Sequence, residues 1–163
     1  MTMNIKSTLL GWLGGRGAIM RTVKNMRSMV EARRKDPVII DTARKIMNAY
    51  GVARDDTNGE AEAIYRFLKN HIRYTRDPID VELLQDPVIT LAWRTGDCDD
   101  ISVLGASLAE SIGLPTRFVL YSRQGGVPHH VLFEVRTDEG WLPIDVVYNK
   151  GVGKVPQGTF ETV

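Results

Sequence analysis

The hydrophobic period of this chain changes once, at Pro115, and that change constrains the fold more than any other feature. Up to Gly113 apolar residues recur every three or four positions, and from Arg117 onward they alternate. Helices first and strands last describe an α+β domain rather than a series of βαβ units. At 163 residues the chain has the length of one domain with a core of its own.

Five helices can be placed before the change. Ile19, Val23, Met26 and Val30 mark one face of the first. Asp36-Pro37 supplies an N-cap and a proline at the first helical position. The second helix runs from there through Ile40, Ala43, Ile46, Met47 and Tyr50 and stops at Gly51. Thr57 and Glu60 have capping-box spacing ahead of a third, whose stripe is Ala61, Ile64, Phe67/Leu68 and Ile72. Asp86-Pro87 opens a short fourth helix ending near Trp93, and a fifth begins around Cys98 with Ile101, Leu104, Leu108 and Ile112 as its stripe. Arg117–Tyr121, His130–Arg136 and Trp141–Tyr148 then read as strands, and the stretch from Asn149 as loop or weak edge strand.

Composition narrows the function classes. Hydrophobic residues make up 43% and charged residues 25%, the balance of an ordinary globular protein. No apolar run approaches the roughly 20 residues that span a bilayer. Leu9-Leu10-Gly11-Trp12-Leu13 is too short, and no small-residue cleavage site follows it. The reading is therefore of a cytoplasmic or virion-associated protein without signal peptide or transmembrane segment. One cysteine rules out an internal disulfide.

Charge is unevenly spread. Residues 1–35 carry eight basic side chains against Glu31 alone, a net +7, while the rest of the chain carries −6. This divides the chain into a basic amphipathic N-terminal arm, residues 1–35, and a domain, residues 36–163. Such an arm either docks on an acidic partner or packs on its own domain with a solvated basic side. Nucleic acid and membrane are not the expected partners, because no aromatic or Gly-rich nucleic-acid motif accompanies the charge.

The chemistry centres on Cys98, in Thr95-Gly96-Asp97-Cys98-Asp99-Asp100. A thiol at a helix N-terminus meets unpaired N–H groups and the positive end of the helix dipole, which favour its thiolate. Gly96 leaves room for another chain to approach the sulfur. Asp99 and Asp100 oppose the thiolate with their own charge. Downstream, a tight turn around Thr137-Asp138-Glu139-Gly140 places His130 and Asp145 on one face of a hairpin, directly opposed or diagonal. Cysteine, histidine and carboxylate then form a nucleophile, its base and the group that orients the base. His129 lies on the other face from Asp145, Glu134 is the alternative orienting acid, and His71 has a structural setting. No cofactor is expected. Calcium at Asp97, Asp99 and Asp100 is the alternative, although these lack the spaced loop and bidentate glutamate of an EF-hand. Zinc has no familiar ligand spacing here.

The chain resembles the transglutaminase-like superfamily of papain-fold thiol enzymes. Gly96-Asp97-Cys98-Asp99-Asp100, Ser111-Ile112-Gly113-Leu114-Pro115, His130-Val131-Leu132-Phe133-Glu134-Val135 and Gly140-Trp141-Leu142-Pro143-Ile144-Asp145 carry the resemblance, which covers about residues 60–148. It implies a papain-like core in which Cys98 begins a central helix packed on a small antiparallel sheet. It further implies Cys98 as nucleophile, His130 as base and Asp145 as orienting carboxylate. The Cys98 backbone N–H would be the first oxyanion donor, with Gln85, ahead of Trp93, as candidate for the second. Leu132 departs from the family, which often has an aromatic residue two positions after the histidine. With Glu82-Leu83-Leu84-Gln85-Asp86-Pro87 ahead of the cysteine, the chain is most similar to compact bacterial and tailed-phage members. The implied activity is acyl transfer on an amide bond of a protein or peptide substrate through a Cys98 thioester, as protease, amidase or transamidase. The rival reading is a virion or scaffold protein that keeps the fold and docks through residues 1–35.

Overall fold

A computed structural model describes residues 15–77, 83–148 and 151–163. The Leu9–Leu13 run, the rest of residues 1–14, Glu82, and Asn149 at the start of the expected tail lie outside the described residues. Five helices and six strands follow in order: α1 Gly15–Arg33, α2 Pro37–Tyr50, α3 Thr57–His71, β1 Arg73–Tyr74, α4 Pro87–Trp93, β2 Thr95–Gly96, α5 Cys98–Ser111, β3 Thr116–Ser122, β4 His130–Thr137, β5 Gly140–Ile144 and β6 Thr159–Thr162.

Local chemistry explains where the helices start and stop. The Asp36 and Asp86 side chains accept from Val38 N and Val88 N, and a proline follows each. Gly51 ends α2 at φ 65°, the left-handed region that glycine enters without strain. For α3 the cap is one residue earlier than the capping box implies. Asp56 accepts from Gly59 N, and Thr57 is the first helical residue. A carboxylate is at least as good an acceptor as a hydroxyl for that free donor, so Asp56 takes the position.

α5 is the axis of the molecule. It packs against α1, α2, α3, α4 and the central strand β4. Every residue from Asp99 to Ala109 is buried, not only the four-residue stripe expected. The reason lies in the small residues Ser102, Gly105, Ala106, Ser107 and Ala109, which let neighbours close in on all sides of the helix. Gly105 is the tightest case. A Cβ there would run into the Phe133 ring and lie 2.9 Å from Leu68 Cδ1, so α3 and β4 meet across its bare backbone.

The strands after α5 form a four-stranded antiparallel sheet in the order β5-β4-β3-β6. The expected third strand is shorter than the sequence implied. β5 stops at Ile144, and the chain turns away at Asp145. The tail supplies an additional edge strand, β6, which pairs with β3. β1 and β2 form a separate short parallel pair, with Tyr74 opposite Gly96.

Residues 15–33 are not a detached arm. Ile19, Val23, Met26 and Val30 join the main core as the sequence pattern required, and several basic side chains turn to internal acids. Arg27 reaches Glu110 at 2.7 Å, and Arg33 bridges Asp36 and Asp86 at 2.9 and 2.5 Å. Arg16 pairs with Glu161 on β6. Of the two readings of the basic segment, α1 follows packing on its own domain: the acidic surface it meets is the protein's own.

Replacing Gly105 by alanine should destabilise the fold by about 1–3 kcal/mol through overpacking. This outweighs the roughly 1 kcal/mol that alanine gains over glycine in a helix. A urea midpoint equal to or above that of the parent would contradict the close approach of Phe133.

Candidate active site

The first turn of α5 is held by an interlocking set of carboxylates. Asp97 is its N-cap and accepts from Asp99 N and Asp100 N, at 3.0 and 3.2 Å. Asp100 answers by accepting from Asp97 N at 3.1 Å, completing a capping box. Asp100 also accepts from Gln85, through its backbone N at 2.7 Å and its Nε2 at 2.8 Å. That fixes the segment ahead of α4 against the helix that carries Cys98. Gly96 has a different use from the one expected. A Cβ there would lie 2.6 Å from the Asp100 Cβ, so its bareness admits Asp100 rather than an incoming chain.

His130 and Asp145 meet as diagonal neighbours on one face of the sheet. His130 Nε2 lies 2.9 Å from Asp145 Oδ2, and both side chains are buried. The other Asp145 oxygen accepts from Val147 N at 3.0 Å and Tyr148 N at 3.4 Å. Chain reversal after β5 thus supplies the two amides that hold the carboxylate still. With the Asp145 carboxylate as acceptor, Nε2 is the donating ring nitrogen and Nδ1 is left with its lone pair. The Tyr148 ring stands edge-on to the imidazole at 5.0 Å.

Cys98 is the first residue of α5 and half-buried. Its Sγ donates to Asp99 Oδ1 at 3.3 Å, and among the described residues it makes no hydrogen bond to His130. Cys98 does share a small cavity of about 10 Å³ with Val131 and Asp145. Burial pushes the thiol well above its ordinary value, and the charges of Asp99 and Asp97 push it further. This corrects the thiolate expected from the helix terminus. A helix dipole contributes about 0.3–1 kcal/mol at a surface site. A carboxylate at about 4 Å, at an effective dielectric near 20, contributes about 4 kcal/mol.

Burial, with Asp99 and Asp100 adding, likewise pushes Asp97 up to about 9. Ligand atoms of Asp97, Cys98 and Asp99 lie within 4.8 Å of one another. Asp97 is already committed to the helix amides and Asp100 to Gln85.

The remaining candidates separate clearly. Gln85 Nε2 is directed at Asp100, and its Oε1 is buried without a partner among the described residues. Trp93 is 58% exposed at the end of α4. His129 is exposed and packs on the Tyr121 ring. Glu134 is held by Arg117. His71 stacks on Phe67 and bonds its carbonyl, a structural setting as expected. The residue missed by sequence reasoning is Tyr148, read as strand end; only the position of the turn after Ile144 brings it onto His130.

Two outcomes test these electrostatics. Asp97, protonated more readily in the folded state, makes the folded chain bind more protons than the unfolded chain between the ordinary carboxylate range and about 9. Stability should therefore fall as pH rises through that window, and Asp97→Asn should flatten the slope of urea midpoint against pH. Asp99→Asn should lower the Cys98 thiol and speed iodoacetamide labelling near pH 7.5. An unchanged labelling profile would show that Asp99 does not control the sulfur.

The profile of the transglutaminase-like superfamily matches residues 42–146. No relative was found among curated proteins. Among solved structures, a provisionally assigned protease from Parabacteroides distasonis is similar at TM-score 0.55 and 10% identity, over 71% of this chain and 25% of its own. A provisionally assigned cysteine protease from Cytophaga hutchinsonii gives 0.51 and 17%, over 76% and 48%. A protein described as a TGase gives 0.51 and 18%, over 97% and 37%. This chain thus spans from a quarter to about half of those proteins, and at such identities the likeness is one of fold. Helices followed by an antiparallel sheet, with Cys98 opening the central helix and the matching profile covering most of the domain, make this chain a member of the transglutaminase-like superfamily.

Proposed function

We propose that the protein is a thiol acyl-transfer enzyme that acts on an amide bond through a Cys98 thioester. The observation that carries the reading is the His130–Asp145 pair, bonded at 2.9 Å and buried, whose aspartate lines the same small cavity as the cysteine at the helix terminus. A structural imidazole has no need of an orienting carboxylate that is itself pinned by two amides. A base that must present Nδ1 in one tautomer does need it.

In the proposed reaction the thiol turns from Asp99 toward His130, and Nδ1 takes its proton as sulfur attacks the substrate carbonyl. Because burial and the neighbouring carboxylates hold the resting thiol protonated, proton transfer accompanies attack instead of preceding it. The carbonyl oxygen receives the Cys98 backbone N–H, free at the first turn of α5. Gln85 stays the candidate for the second donor, through the Nε2 hydrogen that Asp100 does not use. The imidazolium then protonates the leaving amine. Water as the second acceptor completes hydrolysis; an amine would complete transamidation. A protein or peptide is the substrate.

The rival reading, a virion or scaffold part docking through residues 1–35, is weakened by the ion pairs of Arg16, Arg27 and Arg33 within the domain.

p-Nitrophenyl acetate tests the chemistry without knowledge of the substrate. One acetyl group per chain should appear on Cys98 by mass spectrometry and none on Cys98→Ala. His130→Ala should slow acetylation by about 10²-fold or more, and Asp145→Asn should slow it through the wrong tautomer. Equal acetylation of the parent and His130→Ala would dismiss the base and the reading with it.

A further inference from the structure

Away from Cys98, three helices enclose an open cleft of about 380 Å³, within the roughly 300–1,000 Å³ typical of ligand sites. Ile46 of α2, Phe67 and Ile72 at the end of α3, and Leu91 of α4 form its apolar wall. Each side also contributes a basic group: Lys45 from α2, His71 from α3 and Arg94 just after α4. No carboxylate lines it. Asp41 holds Lys45 Nζ at 2.6 Å from outside the lining, and the Arg66 guanidinium lies over Tyr50 at the edge, 4.7 Å from the ring centre.

Two further facts mark this face. Arg94 adopts φ 54°, a left-handed conformation uncommon for a residue with a side chain. Its carbonyl accepts from Arg73 N at 2.9 Å, so the arginine sits at the junction from which β2 leads to Asp97 and Cys98. Trp93, the neighbouring residue, is the kind of exposed aromatic that anchors protein interfaces.

We infer that this cleft is an exosite for an extended segment of another protein that carries bulky apolar side chains next to carboxylates. The apolar wall takes the side chains, and Lys45, His71 and Arg94 take the acids. Charge complementarity selects this occupant: a basic segment would face the cations Lys45 and Arg94, and an acidic one is drawn to both. An open cleft, with an exposed tryptophan next in sequence to Arg94, suits a polypeptide better than a small enclosed ligand. The site shares no lining residue with the Cys98 cavity, so the inference stands or falls apart from the acyl-transfer reading.

The test uses the full chain carrying Cys98→Ala, which bars any turnover. A fluorescein-labelled hexapeptide, Gly-Leu-Phe-Asp-Glu-Asp, is titrated by anisotropy beside a version with lysines in place of its acids. The acidic peptide should bind saturably and at least about tenfold more tightly than the basic one. Lys45→Glu combined with Arg94→Glu should reverse that order while leaving the circular dichroism unchanged. Equal affinity for the two peptides, no saturable binding, or a preference untouched by the charge reversal overturns the inference. So does concentration-dependent self-association that the double variant abolishes, because a second copy of the chain would then occupy the cleft.

Discussion

The reciprocal bonding of Asp97 and Asp100 across the first turn of α5 is the constraint on which the site depends. Four backbone donors at a helix start lack helical partners. Here two are taken by Asp97, while Asp100 turns back to Asp97 N and outward to Gln85. One carboxylate thereby sets where α5 begins, and the other ties that beginning to the segment leading into α4. The sulfur of Cys98 is positioned by both. The arrangement concentrates negative charge in a buried turn, and the cost appears in the raised values of Asp97, Asp100 and the thiol. In the proposed reaction such a site holds the Cys98 thiol protonated at rest and depends on a well-positioned base.

The proposed base, His130, is positioned by the sheet. His130 opens β4, and Asp145 follows directly after β5, so both lie where ladder pairing ends. Register does the rest. Thr137 faces Gly140 and Phe133 faces Ile144, which leaves His130 and Asp145 one diagonal step apart on the same face. A slip of one residue would separate them and expose the apolar face that carries Phe133. The core packing that protects Phe133 against Gly105 therefore also protects the histidine–aspartate contact.

This part of the site was legible in the sequence because it rests on parity and local chemistry. Alternation assigns faces, a short hairpin fixes register, and Asp-Pro and Gly mark helix ends. The sulfur was less legible. Its ionisation depends on burial and on where Asp97 and Asp99 point, which follow from packing by distant elements rather than from spacing. The same holds for α1: charge counting divided the chain at residue 35, but Glu110, Asp86 and Glu161 are far from α1 in sequence and close to it in space. Gly96 was misread for a related reason. Sequence shows that a side chain is missing but not which neighbour fills the gap.

All three candidate groups sit at element ends, and this is a consequence of backbone chemistry. Inside a helix or a paired strand the N–H groups are spent on the ladder and cannot serve an incoming oxygen or a carboxylate. At the start of α5 the amides of Asp99 and Asp100 stand free for Asp97. Past β5 those of Val147 and Tyr148 stand free for Asp145. Ending each element near the same point therefore gathers unspent donors there, while the elements themselves hold the side chains rigid. The core around α5 fixes that point of convergence, so a substitution deep in the helix, such as one at Gly105, would shift the site without touching any residue in it.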